Sequence, residues 1–76
     1  MTNTLAFQGK MKEKGFTVAN LAKLVSLSAT GLLNKIHNIR EFRASEILAL
    51  SDILELNLNE RENIFFAKRV EFNSTE

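Results

Sequence analysis

Seventy-six residues allow one small domain, and a 45% hydrophobic content places the chain among folded rather than disordered sequences. The absence of cysteine excludes disulfides and thiolate metal sites, and the single histidine offers no imidazole pair to a metal. No apolar run approaches the length of a bilayer span and no secretory leader pattern opens the chain, so the expected setting is the cytoplasm of a cell. The net charge is only +1, but it is unevenly spread: residues 1–45 carry seven Lys/Arg against two acids, and residues 46–76 carry three against seven. A basic half backed by an acidic half suits a protein that presents one face to an anionic partner.

The reading in chain order is all helix. The first helix starts after Asn3 or Thr4, either of which can cap it, buries Phe7 and Met11 at i, i+4, and stops at Gly15 in a left-handed conformation. Gly9 falls in its middle, at a cost of roughly 1 kcal/mol against alanine, which predicts that another helix passes close by. Thr17 caps the second helix, whose apolar face is Leu21, Ala22 and Leu24, and Val25-Ser26-Leu27 makes a turn. Ser28 caps the third, which turns Leu32 and Ile36 inward and ends near His37, with Asn38 as a left-handed terminator. Phe42 is an anchor in the loop that follows. The fourth helix spans about Ala44 to Leu54 on the stripe Ile47, Leu50, Ile53, Leu54, with Glu46 in its first turn and Arg43 an indifferent cap. The fifth begins after Asn57 or Asn59, each three residues before a glutamate, and carries Ile64, Phe65 and Phe66. Phe65, Phe66 and Phe72 are expected mostly in the core, with one or two on a dimer surface, and residues 73–76 are expected to fray. No alternating β-branched run predicts a strand.

Residues 17–38 carry the functional signal. Two short capped amphipathic helices joined by a tight turn form the pattern of a helix-turn-helix, in which the second helix enters the DNA major groove. Ala29, Thr30, Leu33 and Asn34 then face outward, with Lys35 beside them. Asn34 suits adenine, and Thr30 and Ala29 suit a base edge or a thymine methyl. Lys10, Lys23, Lys35 and Arg40 suit phosphates, and His37, near a helix C-terminus, suits the helix dipole or a phosphate. The same spacing also fits a helical hairpin in an ordinary five-helix bundle. Ser26, Ser28 and Ser45 have no histidine base, Glu60 and Glu62 are helix-start acids, and no glycine-rich phosphate loop exists. Catalysis, a metal and a cofactor are therefore not expected.

The order of these elements resembles the Cro/CI-type helix-turn-helix family, in particular short phage proteins of Gram-positive hosts. The likeness rests on Phe7-Gln8-Gly9-Lys10-Met11-Lys12-Glu13-Lys14-Gly15-Phe16-Thr17, on Lys35-Ile36-His37-Asn38-Ile39-Arg40-Glu41-Phe42, on Glu46 to Leu54, and on Ile64-Phe65-Phe66-Ala67. It spans nearly the whole chain. It implies a lambda-repressor-like five-helix domain over residues 1–72, a regulator of a lysis/lysogeny switch, operator double-stranded DNA as partner, and pairing as a homodimer. The chain departs from the family pattern at Val18, where a polar phosphate-gripping residue is usual, at Ser26 and Asn38, where glycines are usual, and at Ile39, where a basic residue is usual. Its outer helix face carries Ala29, Gly31 and Leu33 in place of long polar residues. An apolar face of Val18, Leu33 and Ile39 rimmed by cations also suits a protein partner, which implies an alternative role as an anti-repressor docking on a CI-type repressor's DNA-binding domain.

Overall fold

The computed structural model describes residues 1–68, which form five helices: α1 (Thr4–Lys14), α2 (Val18–Leu24), α3 (Ala29–Ile36), α4 (Ala44–Ile53) and α5 (Leu58–Phe65). No strand occurs among the described residues. Phe72 and residues 73–76, expected as core and as a fraying tail, lie outside them.

Side-chain oxygens start four of the helices. Asn3 accepts from Ala6 N–H, Thr17 from Asn20 N–H, Ser28 from Gly31 N–H and Asn57 from Glu60 N–H, each satisfying a donor that the helix itself leaves free. Glu60 returns the bond to Asn57 N–H at 3.0 Å, completing a capping box and choosing Asn57 over Asn59. The N-cap of α4 is Arg43, which has no side-chain acceptor, so only the reverse half of the box forms: Glu46 accepts from Arg43 N–H at 2.8 Å. Gly15 ends α1 at φ +80, and its neighbour Phe16 donates back to Met11 O at 2.9 Å.

Every helix contributes to one core. Phe7, Leu21, Leu32, Leu50 and Leu54 are fully buried, joined by Met11, Ala22, Ile36, Ile64 and Phe65. Three aromatic rings sit at its centre. Phe42 stacks on Phe7 at 5.7 Å and meets the ring of Phe65 edge-on at 5.2 Å, so the α3–α4 loop is pinned to both α1 and α5.

The N-terminal residues are built into the structure. The Asn38 amide accepts from Thr2 N–H at 2.8 Å and donates to Thr2 O at 2.9 Å, and Thr4 Oγ1 donates to Ile36 O at 2.7 Å. On the other side Asn3 N–H donates to Ile64 O at 2.7 Å. One short segment therefore ties the C-terminal end of α3 to the end of α5.

Two expectations, on Leu24 and Gly9, are corrected, and the choice between core and surface is resolved for Phe66. Leu24 is 57% exposed, because the buried stripe of α2 is centred on Leu21, Ala22 and Val25, and Leu24 points roughly 100° away from its middle. Phe66 is 52% exposed, because the backbone leaves α5 at this residue after Ile64 and Phe65 have filled the inward positions. Gly9 has no close helix: a Cβ built there meets nothing within 4 Å. With space available and helical backbone on both sides, Gly9→Ala should raise stability by about 0.5–1 kcal/mol and the melting temperature by a few degrees, measured by thermal circular dichroism.

Candidate nucleic-acid interface

The α2–α3 pair is held by its turn. Leu27 N–H donates to Ala22 O at 2.9 Å, and Ser26 adopts φ +60, the position where the resembling family places glycine. A left-handed serine costs about 1 kcal/mol, which packing of Val25 and Leu27 against the core offsets. Ser28 then starts α3. A Cβ at Gly31 would lie 3.0 Å from Ser28 Oγ, so glycine leaves that cap undisturbed.

Leu32 and Ile36 are buried, as their spacing predicts, and this fixes the rotation of α3. Ala29 and Thr30 are exposed, Leu33 is 40% exposed and Asn34 is half-buried. Thr30 and Asn34 line an open groove of about 590 Å³ between α3 and the start of α4, together with Arg40, Arg43 and Ser45. Arg40 and Arg43 are exposed and form no ion pair among the described residues. Glu41, between them in sequence, lines a separate hollow with Thr2 and Phe66. The groove is thus flanked by two cations unpaired among the described residues, with Thr30 and Asn34 on its helical wall and the Lys35–Glu46 pair also in its lining.

Lys35 does not stand with the outward set. It is 8% exposed, and its ammonium donates to both oxygens of Glu46 at 2.7 Å. The physical reason is rotational: Lys35 lies only about 60° from Leu32 around the helix, so its stem follows the core and its charge needs an internal partner. Burial pushes the Glu46 carboxyl up, but the bond from Lys35, the Arg43 N–H and the charges of both residues together outweigh burial and hold it below its ordinary value. Lys35 is therefore an anchor and is withdrawn from the phosphate set.

Lys10 is withdrawn for a similar reason. Its ammonium bonds Glu60 at 2.8 Å, with Glu13 at 3.3 Å, which places it on the seam between α1 and α5 and holds its proton more tightly than usual. Lys23 and His37 are exposed beside the helix pair. Val18 is half-buried and leans on the core, so little of it remains for a partner, whereas Ile39 is 71% exposed. In the sequence Arg43 stands out only as a helix cap. The signal was its spacing from Arg40 around the Phe42 anchor, which puts both guanidinium groups outside. Among the described residues no group of His, Cys, Asp and Glu could hold a metal ion, and no helix is long and apolar enough to cross a membrane.

Lys35→Met leaves Glu46 buried without its counter-charge and should cost about 2–4 kcal/mol, near the lower end for a buried pair because both groups keep some solvent contact. Adding Glu46→Gln should recover part of that loss, a coupling read from a double-mutant cycle in urea. Because the folded-state value of Glu46 is depressed, its stabilisation is present above the ordinary glutamate range and is lost as pH falls through and below about 4. Urea midpoints measured from pH 7 down to pH 3 should fall, and Glu46→Gln should flatten that fall.

The chain matches no protein-family model and no curated protein in sequence.

Proposed function

We propose that this protein is a non-enzymatic regulator of transcription that binds operator DNA by placing α3 in the major groove, in a phage-type lysis/lysogeny switch within a bacterial cytoplasm. The observation that carries this reading is the arrangement around α3. Its inner side is anchored by Leu32, Lys35 and Ile36, while Ala29, Thr30, Leu33 and Asn34 stand outside, next to a groove flanked by Arg40 and Arg43. A helix presenting side chains at its N-terminal half, with cations on the adjoining loop, matches what a duplex requires: base edges read from the groove and phosphates gripped at its rim. Pairing of two copies on a pseudo-palindromic site fits the same geometry.

A second reading is favoured by one observation. Leu24, Leu33 and Ile39, all on or beside the helix pair, are 57%, 40% and 71% exposed. Large apolar side chains near a reading helix suit a protein surface, and the corresponding role is an anti-repressor bound to the DNA-binding domain of a CI-type repressor.

Fluorescence anisotropy with a random-sequence duplex, across a potassium chloride series, tests the first reading. Affinity should fall steeply with salt, and Arg40→Ala and Arg43→Ala should each reduce the slope by about one. Asn34→Ala should cost about 1–3 kcal/mol on an enriched site and relax preference at one base pair. Absence of binding at low salt would overturn this reading. Capture of a CI-type repressor that Leu33→Asp abolishes would then establish the second.

A further inference from the structure

We infer that α3 selects its DNA through thymine C5-methyl groups, with Leu33 as the specificity-determining side chain, and makes no guanine-directed contact through a cation. This rests on the DNA-binding reading above and sharpens it to a class of base pair.

Guanine is read in the major groove chiefly by Arg or Lys, whose paired donors match its O6 and N7. The one cation in α3 is Lys35, and although it borders the groove it is 8% exposed and both oxygens of Glu46 hold its ammonium at 2.7 Å. It cannot serve the groove without stranding a buried carboxylate. The polar side chains left on the outer side are those of Thr30 and Asn34. Asn34 can pair with the N6 and N7 edge of adenine, and neither residue supplies a guanidinium-like fork.

The rest of the outward face is made of methyl groups. Ala29 and Leu33 are one helical turn apart and therefore lie in a row along the exposed face of α3, with Leu33 40% exposed. The only apolar feature that an unmodified base pair shows in the major groove is the thymine methyl. Leu33 set against a thymine methyl removes apolar surface from water on both sides. Set against the N4 amine of cytosine or O6 of guanine, it would strip a polar edge of water and return no hydrogen bond. The same side chain therefore rewards A·T pairs and penalises G·C pairs.

The test enriches duplexes from a random-sequence pool with the full chain. It then measures affinity for the enriched duplex and for versions in which each thymine is replaced in turn by uracil, which keeps every hydrogen-bonding edge and removes only the methyl. Affinity should fall about fourfold for each contacted methyl removed, at one or two thymines per half-site. Leu33→Ala should abolish the sensitivity at one of those thymines, and Leu33→Met should retain it. Leu33 is partly exposed, and thermal circular dichroism of both variants checks that the fold is intact. An enriched duplex indifferent to uracil at every position, or one whose discrimination resides in guanines, would overturn this inference while leaving DNA binding in place. Enrichment of no duplex at all would overturn the DNA-binding reading, and this inference with it.

Discussion

The ion pair between Lys35 and Glu46 sets the terms for the rest of the molecule. It joins the inner side of α3 to the first turn of α4, and the same carboxylate accepts the Arg43 N–H that α4 would otherwise leave unsatisfied. A charge pair this sheltered adds little net stability over well-packed apolar residues, because removing two charges from water is costly. Its contribution is geometric. The bond directions admit one rotation of α3 and one position of the α3–α4 loop, and the outward row of side chains and the two arginines by the groove follow from that choice.

A second constraint also works on the C-terminal end of α3. Thr4 holds the Ile36 carbonyl and Thr2 grips the Asn38 amide just beyond it, and this N-terminal segment is bonded in turn to the end of α5. The aromatic trio of Phe7, Phe42 and Phe65 lies between these attachments. The helix pair is thus braced by contacts from residues distant in sequence, and the small core of a short chain is supplemented by polar ties at its edges.

Much of the architecture is legible in the sequence. Caps at Thr17 and Ser28, a cap at Asn3 or Thr4 and another at Asn57 or Asn59, and the left-handed stops at Gly15 and Asn38, follow from local chemistry that acts within a few residues, and the structure selects Asn3 and Asn57. The inward positions of Leu32 and Ile36 follow from helical period. What the sequence conveyed poorly was the fate of long amphipathic side chains. Lys35 and Lys10 read as surface cations, yet each is claimed by an acid 11 and 50 residues away, a pairing that depends on how the helices stack rather than on any local pattern. The wheel position of Lys35, close to Leu32, was the available hint. Leu24 misled for the converse reason: apolar character suggested burial, while its place on the helix wheel, off the stripe of Leu21, Ala22 and Val25, turns it outward.

The two non-glycine residues at positive φ that bracket α3, Ser26 and Asn38, carry a further consequence. Glycine at either place would relieve backbone strain but widen the range of motions open to the hinge on that side, and at position 38 it would also remove the amide that grips Thr2. Stiff joints at both ends mean that the pose of α3 is settled ahead of any association. Little freedom is then left to surrender on association, so a modest number of contacts can yield useful affinity.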